Sequence, residues 1–270
     1  MPSHRTLAEF ERIVNIIEKL RSPSGCPWDR RQTRPDVARY VMDEACEVID
    51  AIDEGSPEHL KEELGDLLFQ IFFLARMAEE EGSYHIGDVM AAASEKMIRR
   101  HPHVFGDARA DTVEKVRENW EEIKRRERQD QPRPRSALEG VPRSLPALNR
   151  ALKITEKAAK VGFDWDSIDG VIDKVEEELQ ELKTSLAEND TGKTAEELGD
   201  LLFSVVNLCR HAYVDPDRTL RGATRKFTDR FTFVEERLSA EGKTPESSAM
   251  AEMDRLWELS KTTGKGKNNP

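Results

Sequence analysis

The stretch EELGDLLF at residues 62–69 recurs letter for letter at 196–203, and no other feature constrains the fold as strongly. The correspondence extends well beyond eight letters. Adding 134 to any position in 43–70 gives its counterpart in 177–204 without a gap. Glu44 maps to Glu178, Glu47 to Glu181, Glu63 to Glu197 and Asp66 to Asp200, with steps of three, sixteen and three in each half. A chain duplicated in this way is expected to fold as two related units. The four acids of each unit are expected to act together, because a merely solvated face does not fix such positions.

The rest of the chain reads as helix. Charged residues make up 35% and aromatics 6%, a balance that favours helices over sheets. Apolar residues recur with helical spacing over 6–21, 35–54, 57–81, 86–100 and 112–129, then over 144–160, 168–188, 194–213, 217–240 and 247–261. No segment alternates as a half-buried strand does. Between the two groups, RERQDQPRPRSALEGVPRSLP carries prolines at 132, 134, 142 and 146, which a helix interior does not accept. The expected class is all-α, with tandem helical bundles built on αα-hairpins. The expected organisation is a helical domain over 1–127, a proline-rich connection over 128–146, a second helical domain over 147–262 and a flexible tail over 263–270.

Charge and cysteine usage narrow the function. A net charge of −11 argues against nucleic-acid or anionic-membrane binding, both of which need a basic surface. Small anionic substrates remain compatible, since a bound metal reverses the local field. The three scattered cysteines, Cys26, Cys46 and Cys209, show no CxxC spacing and suit unpaired thiols in a reducing cytosol. The first residues contain no apolar signal-peptide core, and LLFQIFFLARMA is too short to span a bilayer. A soluble cytoplasmic protein is expected.

The acids sit at defined places on the expected hairpins. A step of three puts two helical side chains on one face. Gly55-Ser56-Pro57 in the first half and Asn189-Asp190-Thr191-Gly192 in the second break the helix between the acid pairs. Eight residues separate Glu47 from Gly55, and eight more separate Gly55 from Glu63. Both pairs therefore lie about 12 Å from the turn at a helical rise of ~1.5 Å per residue, level with each other. Two like charges 4 Å apart repel by about 4 kcal/mol at an effective dielectric near 20, so a cation should join them. Mg²⁺ or Mn²⁺ suits an all-oxygen set of hard ligands. Gly65 and Gly199, beside the second pair, leave room for a ligand or another backbone to approach.

Other readings lose on residues. A ferritin-like di-iron site needs Glu-x-x-His, and none of the six histidines follows a glutamate at that step. Gly192-Lys193-Thr194 resembles the end of a P-loop, but Ala187 stands where that motif needs glycine. His101-Pro102-His103 reads as a turn, and Cys46 as a small core residue facing away from the acids.

The motifs in combination are more specific. The first half carries SGCPWDRRQT (24–33), DEACE (43–47), EELGD (62–66) and RRHPHVF (99–105). The second carries VGFDW (161–165), EELQE (177–181), EELGD (196–200) and KFTDRF (226–231). Over nearly its whole length the chain resembles the MazG family of nucleoside triphosphate pyrophosphohydrolases. Asp43 departs from the family's EExxE pattern, which Glu177 keeps in the second copy.

The resemblance implies an all-α fold, Mg²⁺ dependence, and homodimers whose bundles are completed across subunits. It implies the reaction of a nucleoside triphosphate with water to give the monophosphate and pyrophosphate. The expected metal ligands are Glu178, Glu181, Glu197 and Asp200, with Glu44, Glu47, Glu63 and Asp66 in the first copy. Glu177 is expected to orient the attacking water. By resemblance, Lys193, Lys226, Arg230, Trp257 and Lys261 look like nucleotide-binding positions. Lys96, Arg100, Trp120 and Lys124 repeat the same four-residue steps in the first half. Lys193, where the first half has His59, and the intact EExxE favour the second copy as the principal site. A nucleotide- or partner-binding module without hydrolysis, and a structural helical dimer, are the competing classes.

Overall fold

The computed structural model describes residues 3–129 and 136–263, and among them every regular element is a helix. Two compact units emerge, Met1–Pro132 and Arg133–Pro270. Of the expected connection and tail, 130–135 and 264–270 lie outside the described residues.

The first unit comprises α1 (His4–Arg21), α2 (Pro27–Arg31), α3 (Arg34–Glu54), α4 (Pro57–Glu80), α5 (Ile86–Arg100), α6 (Pro102–Phe105) and α7 (Val113–Gln129). The second comprises α8 (Ala147–Ala159), α9 (Ile168–Glu188), α10 (Thr191–His211), α11 (Pro216–Ala240), a 3₁₀ turn at Pro245–Ser247, and α12 (Met250–Thr263). In each unit one hairpin dominates the packing, α3 with α4 and α9 with α10.

The two hairpin turns use different residues for the same geometry. Gly55 closes α3 at φ 70° and Asn189 closes α9 at φ 55°. Glycine and asparagine are the residues that enter the left-handed region most readily. Ser56 then caps α4 by accepting from the His59 amide at 3.3 Å. Asp190 caps α10 by accepting from the Gly192 and Lys193 amides at 3.0 and 3.1 Å. With that cap α10 starts at Thr191 and runs through Gly192, three residues earlier than the periodicity suggests. The turn is two residues long, not four.

Apolar faces hold each hairpin in place. In the first unit Ile17, Val37, Phe72, Phe73 and Met77 form a buried cluster joining α1, α3 and α4. Arg21 ties α1 to α4: it donates from Nη2 to Glu80 Oε2 at 2.7 Å and lies over the Phe73 ring at 5.1 Å. In the second unit Val234 and Leu238 of α11 pack on Leu256 of α12. Asp164, in the loop after α8, receives Arg210 and His211 from the end of α10. This pairing draws the Asp164 carboxyl down to about 2, Arg210 contributing most. Cys46, expected in the core, is exposed on α3 instead, because the helix buries the face carrying Val37 and Ala51. The His-Pro-His segment forms the boundary between α5 and α6.

Candidate functional site

The hairpins bring acids together from facing helices. Carboxylate oxygens of Glu44 on α3 and of Glu63 and Asp66 on α4 lie within 4.8 Å of one another. Glu178 on α9 with Glu197 and Asp200 on α10 repeat the arrangement within the same 4.8 Å. The fourth acid of each set stands beside its group and not in it. Glu47 and Glu181 are exposed, yet their charge acts on Glu63 and Glu197. The same step of three keeps Glu63 with Asp66 and Glu197 with Asp200 inside their groups, so spacing along the helix does not by itself set which acid turns outward.

These carboxylates are strained electrostatically by their own assembly. Burial pushes the Glu63 carboxyl above its ordinary range, and the neighbouring Glu47 pushes it further. Burial raises Glu44 as well; the Gln70 amide, donating to its Oε1 at 3.3 Å, pulls the other way, and Asp66, Glu47 and Asp43 add to the rise. Glu197 rises through burial first, then through Glu181 and Glu178. Glu63 is only 7% exposed, and its Oε2 is buried without a hydrogen-bond partner. An orphaned carboxylate oxygen is costly. Its presence among other hard oxygen donors fits a divalent cation such as Mg²⁺.

The two groups differ in their cations. Lys174 Nζ lies 2.8 Å from Glu178 Oε1 and 3.0 Å from Glu177 Oε1, and these carboxylates hold the lysine above its ordinary range. Lys193 lies 3.5 Å from Glu188 Oε2 and lowers the Glu197 carboxyl by its charge. In the first unit the corresponding positions are Tyr40 and His59. His59 bridges Glu54 Oε2 at 2.8 Å and Glu63 Oε1 at 3.0 Å. Its imidazole is raised, chiefly by the hydrogen bond to Glu54. Lys174 and Gln70 were not among the expected site residues. Each had a signal in its spacing: Lys174 precedes Glu178 by four, and Gln70 follows Asp66 by four.

Comparison with known proteins bears directly on this duplicated arrangement. The model of the MazG nucleotide pyrophosphohydrolase domain matches residues 32–105 and again 167–234. The chain belongs to the MazG family. The chain is 45% identical over 252 residues to the nucleoside triphosphate pyrophosphohydrolase/pyrophosphatase MazG of Thermotoga maritima, covering 93% of this chain and 95% of that one. It is 44% identical over 253 residues to the nucleoside triphosphate pyrophosphohydrolase of Escherichia coli strain K12, covering 93% and 96%. A solved mazG-related protein from Thermotoga maritima aligns with 43% of this chain and 98% of its own, at 27% identity and a TM-score of 0.38.

Each MazG match contains one hairpin with its three clustered carboxylates. The remaining expected positions gather on the helices that follow. On α11 and α12, Arg230 lies over the Trp257 ring at 5.8 Å, and Phe227 approaches the same ring at 5.1 Å. Lys226 is exposed, and Lys261 pairs with Glu258. On α5 and α7, Arg100 lies over Trp120 at 5.5 Å, Lys124 pairs with Glu121 at 2.8 Å, and Lys96 is exposed. Among the described residues no helix is long and apolar enough to cross a membrane.

Proposed function

We propose that this chain hydrolyses nucleoside triphosphates to monophosphate and pyrophosphate, with the second copy as the principal site. The observation that carries the reading is the group Glu178, Glu197 and Asp200, flanked by Lys174 and Lys193. Its relatives' printed names give the same activity. Each helical half, 1–127 and 147–262, acts as one MazG-like domain.

Glu178, Glu197 and Asp200 would hold Mg²⁺, with Glu181 at the edge of the group. Held there, the cation would supply Lewis-acid polarisation of a phosphoryl oxygen. Glu177, positioned by Lys174, orients the water that attacks the α-phosphorus in line. Lys193, Lys226, Arg230 and Lys261 neutralise charge on the departing pyrophosphate, and Trp257 offers the base a stacking face. The first copy holds Glu44, Glu63 and Asp66 ready for the same cation, with Glu47 beside them. It presents Tyr40 and His59 where the second presents lysines, so it attracts polyphosphate less.

A second copy of the chain covers the open face of the hairpin in this proposal. Leu186, Leu198 and Leu202 are 56, 45 and 60% exposed, more apolar surface than a soluble helix hairpin leaves to water. Light scattering should give a dimer mass.

The deciding experiment measures pyrophosphate release with Mg²⁺ over a panel of ribo- and deoxynucleoside triphosphates. Glu197→Gln with Asp200→Asn should reduce release by about a thousandfold, comparable to loss of an essential electrostatic element. Glu63→Gln with Asp66→Asn should retain most of it. Equal losses would overturn the ranking of the copies, and full retention in both would overturn the metal-site reading itself.

A further inference from the structure

The Arg–Trp pair that follows each hairpin is repeated, but among the described residues only one of the two arginines meets a carboxylate. In the second unit Arg230 lies over Trp257 and has no carboxylate partner among the described residues. In the first unit Arg100 lies over Trp120 in the same way, and its guanidinium is taken by Glu127 of α7. Arg100 donates to Glu127 Oε2 from Nη2 at 2.7 Å and from Nε at 3.2 Å. Arg99 donates to Glu127 Oε1 from Nε at 2.8 Å.

One carboxylate thus accepts from two adjacent arginines in the geometry by which guanidinium groups take a phosphate. Among the described residues the arrangement is confined to the first copy. Position 99 corresponds to Asp229 in the KFTDRF stretch, so the second unit lacks the other arginine as well. The Glu127 side chain is 22% exposed and that of Arg100 21%, so solvent screens this pair less than an open surface bridge. The same fork holds the Glu127 carboxyl down at about 2, through Arg100 first and Arg99 second.

We infer that Glu127 occupies the phosphate-binding guanidinium of the first copy and sets that copy against nucleoside triphosphates. It is a built-in carboxylate that a triphosphate must displace before Arg100 can reach it. The two copies thereby differ in nucleotide affinity although both keep their carboxylate groups. The inference rests on the reading of Arg230 and its counterpart as nucleotide-binding positions.

The test uses the full chain, an α,β-methylene analogue of ATP that resists hydrolysis at the α-phosphorus, and Mg²⁺, followed by calorimetry. With the second copy disabled by Glu197→Gln and Asp200→Asn, the remaining site should bind the analogue weakly. Glu127→Gln, which keeps volume and one acceptor oxygen but removes the charge, should strengthen that binding tenfold or more. Adding Arg100→Ala should abolish the gain. Glu127→Asp, which withdraws the carboxylate by one methylene, provides a second variant should the amide destabilise α7, and it should also strengthen binding. Unchanged affinity in both Glu127 variants, with thermal melting showing both folded, would mean that the fork only ties α7 to α5, and the proposal would fall. A chain disabled instead at Glu63 and Asp66 should bind the analogue through its second copy. Failure there would overturn the underlying assignment of Arg230, and this proposal with it.

Discussion

The helix after the carboxylate hairpin runs 15 residues in the first unit, Ile86–Arg100, and 25 in the second, Pro216–Ala240. The two begin in register, and Lys96 and Arg100 correspond to Lys226 and Arg230. They part at Pro102, which stands where the second unit has Thr232. Proline has no amide to donate, and its ring meets the carbonyl four residues back, so α5 stops and α6 starts in a new direction. Beyond that point the second unit buries Val234 and Leu238 against Leu256. The first leaves Val104 and Phe105, 63 and 62% exposed, and has Ala108 where Leu238 would be. What the first unit lacks in apolar packing at this end it replaces with the Arg99, Arg100 and Glu127 fork. The carboxylate hairpin is kept in both copies, and the scaffold behind it diverges.

The largest test of this comparison moves the break from one unit to the other. Thr232→Pro should cost about 3 kcal/mol or more, the usual penalty of proline in a helix interior, and chemical denaturation should show it. The reverse change, Pro102→Thr, should alter stability by less than about 0.5 kcal/mol, since no apolar side chains await a longer α5. Comparable losses from the two substitutions would show that the exposed end of the first unit is packed as firmly as the second.

The hairpins were legible in the sequence because their signals are local. The expected span 168–188 coincides with α9, and 35–54 differs from α3 by one residue. Apolar spacing and a left-handed turn residue suffice for that. Three of the four acids in each copy meet as equal arm lengths require. Elements that depend on a single residue's context were harder to read. The sequence suggests a turn at Pro102, where α6 starts, and a helix break at Asp190, whose side chain caps α10. Partners contributed from a distant helix, such as Glu127 for Arg100, have no periodicity to announce them.

A smaller effect separates the ionic ties of the second unit from its apolar ones. Asp164 has an ordinary value of 3.8 and sits at about 2 when paired with Arg210 and His211. Its value is depressed in the folded state, so the stabilisation is complete above about pH 4 and is lost as pH falls toward 2. Asp164→Asn should therefore remove about 1 kcal/mol at neutral pH, after allowing for solvent screening. The variant and parent should converge in strongly acidic solution. A difference that persists unchanged to pH 2 would assign the loss to packing around the loop after α8 and not to charge.

A gain in stability, not a loss, is expected at the glycines of the repeated EELGD. An added Cβ at Gly65 or Gly199 would meet nothing within 4 Å in the chain itself, and both residues lie within helices, in α4 and α10. The fold alone would do better with alanine at both positions. Gly65→Ala and Gly199→Ala should each raise stability by about 0.5–1 kcal/mol through helix propensity. In the proposed function the open space beside each glycine, one residue before Asp66 or Asp200, is where a bound nucleotide or a second copy would lie. Gly199→Ala should then slow pyrophosphate release about tenfold, or about 1.4 kcal/mol in the barrier. Gly65→Ala should leave release unchanged if the second copy is the one that turns over. Should Gly199→Ala gain stability and lose no activity, the glycine is there only because the hairpin was duplicated whole.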